Sequence, residues 1–264
     1  MDLDTGVLLL AGLAVLAGAA VQGCVGLGLG LIAAPVMALL DPTLVPATIL
    51  LTTSVLPALT AVRELGDVDW SGLRFALGGR LPGVALGSWI VVTQPARTTA
   101  VVVAVVVLGA VVLSVTSWEA RPTPRALLLA GVVSGVSGTA TSIGGPPVAM
   151  LYQRAGGSVL RSTMGVYFLV GNVLSVGALA LAGQIGEREL LRAVALLPFL
   201  LVGFWISGPL RGRVDGARLR VAVLGLSAAG ALVLLARTLL VGDEGEIRVT
   251  DAPTVDFDHS RIRC

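Results

Sequence analysis

Residues 23–35 read GCVGLGLGLIAAP, and residues 135–147 read GVSGTATSIGGPP. Both stretches lie inside longer apolar runs, 6–40 and 126–151. Each Gly costs a helix interior about 1 kcal/mol relative to Ala, and Pro removes a backbone donor. Both runs must therefore break. Run 6–40 is also too long for a single bilayer crossing, which takes ~20 residues. The remaining apolar runs, at 45–62, 75–93, 99–117, 163–182, 190–209 and 220–241, are close to that length.

The apolar share is 55% and the charged share 13%, about half the ~25% usual for soluble domains. Charges gather in short stretches between the runs, the pattern of a chain solvated by lipid. An all-α integral membrane protein is the fold class this predicts. The net charge of +2 does not point to nucleic acid, because the Arg residues sit between membrane segments. The chain opens with Met-Asp-Leu-Asp, which lacks the positive start of a secretory signal, so the first run is read as mature structure. Cys24 and Cys264 lie too far apart in character, one apolar and one in the tail, to suggest a disulfide. Residues 242–264 are polar and acidic without periodicity, and read as a disordered tail.

The two breaks are copies. A shift of 112 places Gly23, Gly26, Pro35, Val36 and Leu39 on Gly135, Gly138, Pro147, Val148 and Leu151. A shift of 116 places Leu81-Pro82, Gly87 and Trp89 on Leu197-Pro198, Gly203 and Trp205. The expectation is two homologous four-segment halves, 1–118 and 119–241, followed by the tail 242–264.

Arginine placement then chooses a topology. If both broken runs cross fully, the Arg residues outside Arg80 and the tail divide evenly between the two faces. If both are hairpins that enter and leave on one side, Arg63, Arg74, Arg121, Arg125, Arg154, Arg161, Arg211, Arg213, Arg218 and Arg220 share a face. Arg97, Arg188, Arg192 and Arg237 lie on the other. Ten against four is the bias of the positive-inside rule. It places the loops near Arg74, Arg121 and Arg154 in the cytoplasm and both termini outside the cell. One hairpin plus three crossings per half also inverts the second half, a recurrent transporter plan.

Irregular backbone at membrane depth is tolerated where it lines a cavity or is buried in protein. The breaks are therefore the site candidates. A half-helix starting there presents free N–H groups and the positive end of its dipole, which suits an anion. The first break offers Gly26, Gly28 and Gly30, flanked by Gln22 and Cys24. The second offers Ser137, Thr139, Thr141, Ser142, Gly144 and Gly145. Packing of helices through small residues is the competing explanation for each of them. If glycine amides meet the anion, Val at Gly28 or Gly144 should abolish transport and spare the fold. Asn172, midway along run 163–182, faces the pathway or bonds a neighbouring helix. Arg80, just inside run 75–93, is a counter-ion or snorkels to the positive face. Tyr167 reads as packing. Asp and Glu are confined to run edges and loops. The sole His, His259, is in the tail, and no nucleotide-cradling motif occurs. These features speak against an enzyme, a metal centre or a bound cofactor.

Gly23-x2-Gly26-x-Gly28-x-Gly30 with Pro35, Ala47-Thr48, Asp67-Val-Asp-Trp70, Pro82-Gly83-x3-Gly87 and Gly144-Gly145-Pro146-Pro147 occur in that order over residues 6–240. This set resembles the TauE/SafE family of sulfite exporters and related permeases. The resemblance implies export of sulfite, a sulfonate or another small organosulfur anion across the cytoplasmic membrane. An anion channel using the same site, or a non-transporting membrane scaffold, are the alternatives.

Overall fold

The computed structural model describes residues 4–25, 28–63, 65–115, 121–155, 157–210 and 216–240. The expected disordered tail and Gly26 lie outside the described residues. Among the described residues the fold is all-helical, as expected. Helices α1 (Thr5–Val25) and α2 (Leu29–Leu40) are followed by a short 3-10 turn at Pro42–Leu44, then α3 (Ala47–Thr53) and α4 (Val55–Arg63). Next come α5 (Trp70–Thr93), α6 (Ala96–Val115), α7 (Pro124–Thr141), α8 (Gly145–Leu151), α9 (Gly157–Leu181), α10 (Glu187–Leu210) and α11 (Gly216–Leu240). Five of these, α1, α5, α6, α9 and α10, contain stretches long and apolar enough to cross a bilayer.

Both broken runs turn back on themselves. Gly28 has φ +148°, a region open mainly to glycine, and the chain reverses so that α2 lies along α1. The contact is close: a Cβ on Gly18 would lie 2.9 Å from the Leu29 Cα. At the second break Ser142 caps α7 in the left-handed conformation, φ 61°. Gly144 follows, and α8 opens with prolines in its first turn, where their missing N–H costs no helical bond. A Cβ on Gly138 would lie 3.3 Å from the Gly144 Cα, so α8 doubles back along α7.

The connections settle hairpin against kinked span. Arg192 reaches Thr43 Oγ1 at 2.9 Å and Asp41 at 3.8 Å. Arg237 donates to the Leu39 carbonyl at 2.7 Å, and Arg97 to the Thr238 carbonyl at 3.3 Å. The exit of the first hairpin, the starts of α6 and α10 and the end of α11 thus share one end of the molecule. At the other end the Asp69 amide donates to Thr163 Oγ1 at 3.0 Å, and Tyr152 donates to the Asp69 carboxylate at 2.8 Å. Full crossings by both broken runs would have put Asp69 and Tyr152 on opposite ends.

Run 45–62, read from sequence as an ordinary span, is a third break. It divides at Ser54 between α3 and α4. Pro57 cannot donate to the Thr53 carbonyl, and its ring crowds that group. Thr52, Thr53 and Ser54 all turn their hydroxyls onto carbonyls of the preceding turn, which competes with regular helix.

Helices distant in sequence interleave. α1 runs parallel to α10, with Gly12 under Phe199, Gly23 against Ser207 and Gly203 on the Leu16 carbonyl. α7 runs parallel to α5, where Gly79, Gly83 and Gly87 take the backbones at Leu128, Val132 and Val136. Lipid offers no hydrophobic drive between helices, so close backbone contact through small residues supplies the packing. One apolar core joins α1, α2, α6, α10 and α11, and a second joins α5, α7, α8 and α9.

Candidate functional site

The two hairpin tips meet. A Cβ on Gly30 would lie 2.5 Å from the Ser142 carbonyl oxygen. Beside this contact is a cavity of about 50 Å³, room for a few waters. Gln22, Gly28, Gly30, Ser142, Gly144, Gly145, Asn172 and Arg80, all singled out from sequence, line it. Leu31, Thr53, Pro57, Gly138, Ile143, Pro146 and Phe168 complete the wall.

Arg80 dominates the electrostatics. Its residue is 1% exposed, so it does not snorkel to the surface as one sequence-based reading had it. The reason is the glycine contact between α5 and α7, which points residue 80 inward. Its guanidinium lies over the Tyr167 ring, 4.7 Å from the centroid, and Nη1 approaches Ser134 Oγ at 3.4 Å. It occupies the space where Gly171 would carry a side chain. Its Nε has no hydrogen-bond partner. Among the described residues no carboxylate pairs with it. Asn172, 7% exposed, also lines the cavity, and its amide has no partner among the described residues.

Other candidates are placed elsewhere. Cys24 donates to the Ser207 carbonyl at 3.7 Å and does not line the cavity. Thr139 pairs with Ser175 at 2.8 Å across α7 and α9. Thr141 donates to the Ser137 carbonyl at 2.7 Å and accepts from the Ile143 amide. Ser137 turns back to the Ser134 carbonyl. These hydroxyls join helices and close the α7 turn, the packing role weighed against them.

The cavity glycines are also closely packed. A Cβ at Gly28 would meet the Val21 side chain at 2.7 Å, and one at Gly144 would meet the Ser134 carbonyl at 2.8 Å. Ser134 Oγ donates to the Gly144 carbonyl as well. Val at either position would break the hairpin itself, so substitution there reads folding rather than binding. In α2 the Leu29 amide is taken by Gln22 Oε1 at 3.1 Å. The Gly30 and Leu31 amides, in the first helical turn, have no intrahelical acceptor, and both residues line the cavity.

Three features escaped sequence reasoning: Tyr167 as a platform for Arg80, Gly171 as the gap that admits it, and Thr53 with Pro57 at the third break. Only the last carried a local signal, the Thr-Thr-Ser-x-x-Pro run.

Away from the membrane segments, Asp69 caps α5 by accepting from the Gly72 amide at 3.0 Å. Burial tends to raise its pKa, but hydrogen bonds from the Gly72 amide, Ser71 and Tyr152 outweigh this and hold it below the ordinary 3.8. Burial, followed by the bond to Asp69, pushes the Tyr152 hydroxyl well above its usual range and keeps it a donor.

The model of the sulfite exporter TauE/SafE family matches residues 10–234. The chain belongs to the TauE/SafE family. No curated protein and no solved structure matches it. TauE/SafE proteins are membrane transporters rather than enzymes, and the family implies a small anion as substrate. For this TauE/SafE protein, the membrane setting agrees with the five candidate spans.

Proposed function

We propose that this chain is a secondary transporter that exports sulfite or a short organosulfonate across the cytoplasmic membrane, binding it in the cavity between the hairpin tips. The observation that carries this reading is Arg80. A buried cation with no carboxylate to pair with costs several kcal/mol, and a site that holds one is built to receive the opposite charge. Arg80, the Asn172 amide and the first-turn amides of α2 are the donors facing the anion. The cavity size favours a small oxyanion over a nucleotide or a large acid.

The halves 1–118 and 119–241 act as inverted repeats in this reading. Its support is the exchange of partners: the first hairpin packs on α10 of the second half, and the second hairpin on α5 of the first. The end bearing Asp69 and Tyr152 faces the cytoplasm, and both termini lie outside.

Calorimetric titration of the purified protein with sulfite, thiosulfate, sulfoacetate and taurine tests the site. Saturable binding of at least one of the anions, weakened tenfold or more in Arg80→Gln, is expected. Unchanged affinity in a folded Arg80→Gln protein would remove the anion from this cavity.

A further inference from the structure

We infer that transport is an obligatory one-for-one exchange of monoanions, because the empty site carries an uncompensated charge that cannot cross. This rests on the proposed site. Arg80 is 1% exposed, its Nε lacks a partner, and no residue lining the cavity is acidic. Among the described residues Arg80 is also the cavity's one formal charge.

A carrier must pass through a state sealed from water on both sides. While the site is open, water reaches the cavity and offsets part of the cost of the guanidinium. Sealing removes that water. With a monoanion bound, Arg80 and its ligand form a neutral pair and the sealed state is accessible. With the site empty, sealing leaves a lone buried cation, the uncompensated case that is strongly unfavourable. A dianion would leave net negative charge and meet a similar barrier. The loaded protein therefore reorients in both directions, and the empty protein does not. An anion leaving on one face requires another to enter from the opposite face, and no net charge moves.

The test uses the full chain in liposomes loaded with radiolabelled sulfite and buffered at mildly acidic pH on both sides, where the hydrogensulfite monoanion predominates, with no chloride on either side. Efflux is followed into a medium whose only anion is a bulky buffer, and into the same medium with unlabelled sulfite or with chloride. Unlabelled sulfite outside should accelerate efflux at least tenfold, equivalent to about 1.4 kcal/mol in the return barrier. The chloride arm tells whether a second anion serves as the exchange partner. Voltage imposed with valinomycin and potassium should leave the exchange rate unchanged. Efflux that is equally fast into the sulfite-free medium, or that scales with voltage, would overturn exchange and leave the binding site standing. Absence of flux in every arm, together with absence of calorimetric binding, would overturn both.

Discussion

Gly171→Ala isolates the binding role of Arg80 from the packing around it. The added Cβ would fall inside the van der Waals envelope of the Arg80 guanidinium, with Nε and Cζ its nearest neighbours. These atoms are the far end of a flexible side chain, not backbone, so α9 keeps its place and the guanidinium moves. To regain contact distance it must withdraw by roughly 1 Å or more, and hydrogen bonds weaken steeply with such misplacement. A hydrogen bond involving a charged group contributes about 1.5–3 kcal/mol. At 1.4 kcal/mol per factor of ten, loss of one such bond weakens anion affinity by roughly 10- to 150-fold. The assay is calorimetric Kd for sulfite on wild type and variant, with thermal unfolding run in parallel. The melting temperature should change little, since a helical Gly→Ala substitution itself favours folding. Unchanged affinity in Gly171→Ala would refute the claim that the observed guanidinium position is the binding one.

The glycine contacts make a contrasting prediction. Gly83→Val drives a branched side chain into the Val132 carbonyl and the Gly135 Cα, so detergent-extracted protein should aggregate or melt at lower temperature, and monodisperse protein at wild-type yield would contradict that packing. Asp69 titrates below its ordinary value, so its stabilisation is complete above pH ~4 and is lost as pH falls through the lowered folded value. Asp69→Ala should cost about 1 kcal/mol at neutral pH, the size of an N-cap, and the gap to wild type should narrow on acidification below pH 4 in unfolding curves. Single cysteines placed beside Arg74 and Arg154 in a Cys-free background should label from the same face in oriented vesicles, and labelling from opposite faces would defeat the hairpin topology.

Much of the architecture is legible because it depends on local costs. Long apolar runs select lipid as solvent wherever the helices pack. Clustered Gly and Pro break a helix through their own backbone chemistry, so the breaks at 23–30 and 135–147 could be located in advance. Arginine counts per loop separated hairpins from crossings, because the cost of moving charge across a bilayer is also additive along the chain. The break at Ser54 was written just as locally, in Pro57 and the hydroxyls before it, but lies within a run of ordinary length.

The contents of the site were decided by tertiary structure. Sequence placed Ser137, Thr139 and Thr141 beside a break, as it did Ser142, yet only Ser142 lines the cavity. The others found partners on α7 and α9 because the distant Ser175 and the local turn offered them. Arg80 stood at an ambiguous depth, and its fate turned on residues 54 to 91 positions away: Ser134, Tyr167 and Gly171. A break is a property of the residues that form it. The destination of a side chain depends on which helix lies opposite, and here the glycine faces of α5 and α7 set that contact and turn the single buried cation of the cavity toward the hairpin tips.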